Sequence, residues 1–325
     1  MVRENMNARP PRFAFLCTKR AVALLSVITC ALIVIIALAA TNVIHPGSSS
    51  GTTTNSGAAS VTATSPHIYT TTSLTPSSSD SSNTANVNDP NAPLRIMALG
   101  ASVVKGETSP GTVGFRKPMR DSLVDLGFTV NMVGAVRLGD MIDNDVEAYG
   151  GRKITEMHEY ATQSVPETLP NMFVINLGTN NVLQNIDVDI AGQQMGDLIN
   201  YLLTASNRSV VILSTLLTNT VPDAEPKVLQ INEQYRSLMP GFEAENKSVV
   251  LVEMHPSEGV ITDVPTIDDI GPDGSHPTEE GYAMMARRFI IGIQDARNKG
   301  FIQTPVDNGI PNDGDAERAG ESTST

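Results

Sequence analysis

The chain has 325 residues, 40% of them hydrophobic, which is enough to bury a core and excludes wholesale disorder. Charge is uneven: residues 1–20 carry Arg3, Arg9, Arg12, Lys19 and Arg20 against Glu4, a net +4, while the whole chain is −13, leaving −17 for everything after. An acidic body repels phosphate backbones, so nucleic acid is excluded as a partner. Both cysteines, Cys17 and Cys30, lie in the first 30 residues, so nothing downstream can form a disulfide or a cysteine-based zinc site.

The basic head, residues 1–20, precedes Ala21–Ala40, twenty residues without a charge. As a helix this run spans roughly 30 Å, the thickness of a bilayer core. It predicts a transmembrane signal-anchor over 21–44, and the positive-inside rule keeps the head cytoplasmic and sends the rest outward as a type II membrane protein. Ala37-Leu38-Ala39 also has the small-x-small pattern of a cleavage site, so the alternative is secretion after signal cleavage. Residues 45–90 read as a stalk. From Gly47 to Pro90, 22 of 44 residues are Ser or Thr with no Lys or Arg, a composition that cannot offset chain entropy and suits an O-glycosylated spacer. Gly47-Ser48-Ser49-Ser50-Gly51 matches the G-x-S-x-G esterase pattern but has no strand before it and no helix after it, so it is discarded. Asn207-Arg208-Ser209 and Asn246-Lys247-Ser248 are N-glycosylation acceptors, as an exported glycoprotein would carry.

Residues 91–303 alternate short apolar runs with helical patterns. Leu94–Leu99, Thr129–Val133, Met172–Leu177, Ser209–Ser214 and Ser248–Glu253 predict buried parallel strands. Phe115, Met119, Leu123 and Leu126 recur at helical spacing before a C-capping Gly127, and Tyr282, Met285, Phe289 and Ile293 make a second core-facing stripe. The alternation predicts one α/β domain whose ligand site lies beyond the carboxyl ends of its strands. The 304–325 tail, rich in Asp, Glu, Gly, Ser and Thr, reads as disordered.

Those carboxyl ends hold the candidate chemistry. The first strand runs into Gly100-Ala101-Ser102, where a serine heading a helix is either a nucleophile or a plain N-cap. Gly150-Gly151 follows the Asp143–Tyr149 loop, and a glycine N–H can approach a ligand without a Cβ in the way. The third strand ends in Gly178-Thr179-Asn180-Asn181, whose Asn180 amide can aim at an oxyanion or merely close a turn. In Asp273-Gly274-Ser275-His276 the spacing lets the carboxylate fold back onto imidazole Nδ1, leaving Nε2 as a base; the bland reading is a helix-start loop. The other histidines carry less. His45 and His67 lie in or beside the stalk, His158 has no second His four residues on, and His255 reads as a surface residue.

Ser102, Gly151, Asn180 and His276, in that order and each in a loop, resemble the four blocks of the SGNH (GDSL-type) hydrolases. Leu99-Gly100-Ala101-Ser102, Glu147-Ala148-Tyr149-Gly150-Gly151, Gly178-Thr179-Asn180-Asn181 and Asp273-Gly274-Ser275-His276-Pro277 carry the resemblance, from about Leu94 to Ile293. Gly114-Phe115-Arg116-Lys117-Pro118 and Asn131-Met132-Val133-Gly134 look most like the acetyl-xylan esterases of carbohydrate esterase family three. Three positions depart from the pattern: Ala101 and Asn181 stand where Asp is usual, and Arg152 where an aromatic is common. They bear on loop rigidity, rate and substrate shape.

The resemblance implies a three-layer α/β/α sandwich with a flavodoxin-like parallel sheet. It implies a serine esterase with Ser102, His276 and Asp273 as nucleophile, base and orienting acid. The Ser102 and Gly151 N–H groups and the Asn180 side chain would hold the oxyanion, and no metal or organic cofactor is required. The expected substrate is an acetyl ester on an extracellular polysaccharide. The rivals are a short-chain lipid or general esterase and a non-catalytic carbohydrate-binding ectodomain, the latter weakened by the absence of Trp for sugar stacking.

Overall fold

Seven strands form the sheet of the computed structural model, which describes residues 91–258 and 262–323. They are β1 (Leu94–Gly100), β2 (Val130–Met132), β3 (Val136–Arg137), β4 (Asp145–Ala148), β5 (Met172–Asn176), β6 (Val210–Ser214) and β7 (Val249–Val252). The order is β3-β4-β1-β5-β6-β7, with β2 sharing an edge of β1. That edge changes hands midway: Leu94–Ile96 lie opposite Val130–Met132, whereas Leu99 and Gly100 lie opposite Glu147 and Ala148. Every pairing is parallel except the β3–β4 hairpin. The sequence β2-β1-β5-β6-β7 is the flavodoxin-like doubly wound order.

The five predicted strands form within one or two residues of their expected ends. The loop expected over Asp143–Tyr149 is corrected, since its centre is β4. Asp145 and Glu147 disguise it, but Val146 and Ala148 share one buried face and Glu147 accepts the Ala135 N–H at 3.0 Å.

Eight helices accompany the sheet among the described residues: α1 (Ser102–Lys105), α2 (Arg116–Asp125), α3 (Ile154–Thr168), α4 (Thr179–Gln184), α5 (Ala191–Ala205), α6 (Glu225–Ala244), α7 (Glu279–Asn298) and α8 (Gly314–Thr323). Alternation along β1 divides the core in two. Leu94, Ile96 and Ala98 pack with Met119 and Leu123 of α2 and Tyr282, Met285, Phe289 and Ile293 of α7. Met97 and Leu99 pack on the other face with α3, α5 and α6, giving three layers.

Gly127 ends α2 at φ +89°, donating to Val124 O at 2.9 Å while Phe128 donates to Leu123 O at 3.0 Å. This paired pattern needs a left-handed residue, and it brings Phe128 onto Leu123. It also turns Leu126 outward, 51% exposed, so that residue leaves the expected stripe. At the other end of the domain, Thr278 caps α7 by accepting the Gly281 N–H at 3.1 Å, with Glu279 and Glu280 in the first turn.

The expected disorder of 304–325 is corrected over its described part, which runs along the body and closes with α8. Val306 and Ile310 carbonyls accept from Arg95 Nη1 and Nη2 at 2.9 and 3.0 Å. The Pro311 carbonyl and the Glu317 carboxylate accept from Asn131 Nδ2 at 2.6 and 2.8 Å. Asp315 meets Arg120 at 2.7 Å, Glu321 meets Arg137 at 2.7 Å, and Arg318 pairs with Asp145. Arg95 and Asn131 are buried, and buried donors require acceptors. The acidic composition that reads as disorder is the complement of these groups. Gly314 is fitted as closely, since a Cβ there would lie 2.3 Å from the Asp143 carboxyl carbon.

The segments expected to be membrane anchor and stalk, and the Gly47–Gly51 motif, lie outside the described residues. Among the described residues no helix is long and apolar enough to cross a membrane.

Deleting residues 304–325 removes the Val306 and Ile310 carbonyls from buried Arg95 and the Pro311 and Glu317 acceptors from buried Asn131. The expected cost is roughly 2–5 kcal/mol in urea unfolding, the range for uncovering several buried polar groups. An unchanged midpoint would show that the tail is merely appended.

Candidate active site

The first site element follows from one glycine. A Cβ on Gly100 would lie 2.3 Å from Asn176 O and 2.4 Å from Val104 Cγ2, so glycine alone lets α1 turn back over the end of β5. Ser102 heads α1, partly exposed, and its carbonyl accepts from the N–H groups of Gly106 and Glu107, both at 3.0 Å. The chain leaves through left-handed Gly106 and Thr108, at φ +87° and +70°. Arg116 fixes this turn from beneath. Its buried guanidinium donates to the carbonyls of Val104 (3.0 Å), Lys105 (3.1 Å), Thr112 (2.9 Å) and Leu138 (2.8 Å). Burial pushes it down to about 10.

The second element extends β4. The Tyr149 N–H donates to Gly100 O at 3.2 Å, and Gly150-Gly151 then turn outward, with Gly151 exposed at φ +79°. Nothing lies within 4 Å of a Cβ built on Gly151, so the space beside its Cα is open.

The third element follows β5. Gly178, at φ +122°, could not carry a Cβ, which would meet Tyr235 Oη at 2.7 Å. That hydroxyl donates to Leu177 O at 2.8 Å, tying the strand end to α6. The next two asparagines have different tasks. Asn180 Nδ2 donates to Arg152 O at 3.1 Å, which joins it to the Gly150-Gly151 turn and spends one of its two N–H bonds. Asn181 is fully buried, accepting the Ile154 N–H at 3.2 Å and donating to Ile186 O at 3.1 Å.

The fourth element is the loop before α7. Asp273 Oδ1 accepts the backbone N–H groups of Ser275 and His276 at 3.0 Å each, and Oδ2 sits 2.7 Å from His276 Nδ1. Partial burial opposes ionisation, but these three hydrogen bonds outweigh it and hold the Asp273 carboxyl below the ordinary carboxylate range. A carboxylate on Nδ1 assigns the proton there and leaves a lone pair on Nε2. His276 Nε2 is buried without a hydrogen-bond partner among the described residues, and Glu107 Oε2 lies 3.7 Å from it.

The structure thus places Ser102, Gly151, Asn180, Asp273 and His276 all at the carboxyl edge of the sheet. It ties the Ser102 and His276 loops together through Thr108 Oγ1 on Pro277 O (3.2 Å) and Tyr282 Oη on Glu107 O (2.7 Å). His158 stays on α3 against the Tyr201 ring, at 5.2 Å.

His255 is corrected: it is 3% exposed, not a surface residue. Its Nδ1 accepts the Ser257 N–H at 3.1 Å and its Nε2 meets Glu225 at 2.8 Å. Glu225 also accepts the Asn219 N–H (2.8 Å), and Asn219 Nδ2 reaches Ser275 Oγ (3.1 Å), between the acid and the base. Neither this chain of contacts nor Glu107 carries a motif. Only the fold brings them to the site.

A family model described as GDSL-like lipase/acylhydrolase matches residues 99–284. Among solved structures the chain is similar to a family 3 carbohydrate esterase of Clostridium thermocellum, at 21% identity and TM-score 0.55, covering 63% of this chain and 98% of that one. It is similar also to an acetyl esterase mutant with acetate ion (19%, TM-score 0.53, 63% and 99%). A third is a carbohydrate esterase family 3 protein from Talaromyces cellulolyticus (18%, TM-score 0.53, 63% and 99%). At these identities the likeness is one of fold. No curated protein matches the chain. The family match runs from the end of β1 into α7, takes in all four loops just described and spans more than half of the sequence, so the chain belongs to the GDSL-like lipase/acylhydrolase family and is a carboxylic ester hydrolase.

Proposed function

We propose that the enzyme removes acetyl groups from an extracellular polysaccharide by a Ser-His-Asp mechanism. The observation that carries the mechanism is the 2.7 Å contact between Asp273 and His276 Nδ1, with Nε2 left as the basic nitrogen. Ser102 attacks the acyl carbon as His276 takes its proton, and Asp273 orients and stabilises the imidazolium. His276 then protonates the leaving alcohol, and water enters by the same base to release the acid. The Ser102 and Gly151 N–H groups and the second N–H of Asn180 receive the developing oxyanion, each donor contributing ~3 kcal/mol in the transition state.

The acetyl and carbohydrate parts of this reading draw on the names of the similar structures, two family 3 carbohydrate esterases and an acetyl esterase. A membrane anchor over 21–44 and a Ser/Thr-rich stalk over 45–90 support a tethered domain working outside the cell on a polymer, and the exposed Asn207 and Asn246 precede β6 and β7, away from the carboxyl edge. One observation favours a second reading, a lipid esterase: Leu183, Ile186 and Ile190, just after Asn180, are 39%, 39% and 42% exposed. Acyl-chain preference decides between them, acetate for the first and longer chains for the second. The binding-only ectodomain is set aside by membership of a hydrolase family.

Steady-state kinetics on 4-nitrophenyl acetate test the assignments. Ser102→Ala should abolish turnover while stability stays within about 1 kcal/mol of wild type. Asn180→Ala should lower kcat by roughly 10²–10³ with little change in KM. Asn181→Ala should act through stability, by roughly 1–3 kcal/mol, because it leaves a buried N–H and C=O unpaired. A kcat loss larger for Asn181 than for Asn180 would move the oxyanion assignment by one residue.

The depressed Asp273 carboxyl sets a pH dependence of definite sign. A folded value below the unfolded one gives stability that is full above roughly pH 4–5 and is lost as pH falls through the folded value. The stability difference between wild type and Asp273→Asn, read from urea unfolding, should therefore be flat near neutrality and shrink in acid. A difference that grows in acid would contradict the hydrogen-bonded carboxylate.

A further inference from the structure

Resting on the esterase reading above, we infer that Glu107 is a specificity-determining residue that accepts a hydrogen bond from a hydroxyl next to the ester on the leaving alcohol. The argument begins with the backbone. Glu107 is held on three sides: its N–H donates to Ser102 O at 3.0 Å, its carbonyl accepts from Tyr282 Oη at 2.7 Å, and Thr108 beside it donates to Pro277 O at 3.2 Å. Thr108 does so at φ +70°, a conformation that side-chain-bearing residues rarely adopt and that persists only where surrounding contacts enforce it. The turn therefore aims the Glu107 side chain.

Its carboxylate is aimed at the base. Oε2 lies 3.7 Å from His276 Nε2, and Oε1 takes the Lys105 ammonium at 2.9 Å. Gly150 makes room for it, since a Cβ there would stand 2.8 Å from Oε1. Asp273 already occupies the opposite nitrogen at 2.7 Å, so Glu107 is a second carboxylate on the same imidazole, on the side where substrate arrives. It does not orient the ring, which the Asp273 bond does.

Position relative to the reaction assigns its role. Nε2 returns its proton to the leaving alkoxide, so the alcohol oxygen must come within hydrogen-bond distance of Nε2. A carboxylate 3.7 Å from that nitrogen therefore borders the alcohol rather than the acyl group. The nearest substituent of the alcohol is whatever sits on the adjacent carbon. In a partly acetylated sugar or polyol that substituent is a hydroxyl, and Oε2 is an acceptor for it. A hydrogen bond to a charged group discriminates by roughly 10- to 100-fold against an analogue without the donor. The substrate class this selects is the monoester of a vicinal diol, as in a sugar with a free hydroxyl beside its acetate.

The test compares 2-hydroxyethyl acetate with 2-methoxyethyl acetate, which differ by the donor, with 4-nitrophenyl acetate as a substrate lacking either group. Wild-type full-length protein should favour the hydroxyl ester in kcat/KM by at least roughly tenfold. Glu107→Ala should bring that ratio near one whatever it does to absolute rates, and Glu107→Gln, which keeps an uncharged acceptor, should give an intermediate ratio. A ratio near one in wild type, or one unchanged in both variants, overturns the role of Glu107 while turnover of 4-nitrophenyl acetate leaves the esterase standing. Loss of all three activities in wild type removes the esterase reading and this one with it.

Discussion

The arrangement depends on a cation that has no carboxylate partner among the described residues. Arg116 is fully buried; its Nε and Nη2 donate to backbone carbonyls of residues 104, 105, 112 and 138, and its Nη1 to Met141 Sδ at 3.9 Å. Removing a guanidinium from water is costly, and here the cost is met by four carbonyl dipoles rather than by a carboxylate. Those carbonyls belong to the last turn of α1, the turn before α2 and the residue after β3. One side chain thus fixes the segments that carry Ser102 and Glu107 against the β3–β4 hairpin that leads to Gly151. Lysine could not replace it, since an ammonium has three donors on a point and not a planar fork.

On that base the site divides support from chemistry within pairs of neighbours. Asn180 has one amide N–H on the Arg152 carbonyl and a second that the proposed mechanism assigns to the oxyanion, while Asn181 is consumed in holding α3 to α4. His276 pairs with Asp273, while Ser275 beside it accepts from Asn219, whose own N–H donates to Glu225, the partner of buried His255. Preorganisation of this kind lets an oxyanion hole and a base act without reorganising at the moment of reaction.

Much of this was legible in the sequence because the sheet is parallel and buried on both faces. Its strands are then nearly continuous apolar runs, and Leu94–Leu99 or Met172–Leu177 can be read directly. The four loops were legible because each follows a strand or precedes a helix at a position where chemistry is usual. What stayed hidden was polar structure satisfied at long range. β4 hides behind Asp145 and Glu147, the tail's order depends on Arg95 and Asn131 far along the chain, and Glu107 gains meaning only from a loop 169 residues away. Composition reports what a segment could bury by itself, not which partners await it.

The three departures from the family pattern are then consistent with one another. Ala101 is nearly buried under the turn that Arg116 and the Ser102 carbonyl already hold, so no carboxylate is needed there for rigidity. Asn181 must both accept from Ile154 and donate to Ile186, which an ionised aspartate could not do, so asparagine is the residue that this version of the turn requires. Arg152 contributes its carbonyl to Asn180, while its side chain pairs with Glu156 at 3.1 Å and lies 6.0 Å from the Tyr160 ring centroid. The backbone task survives any side chain there, leaving the rim free to vary. Each change alters how a loop is supported and leaves Ser102, His276 and Asn180, the residues to which the proposed mechanism gives the chemistry, in place.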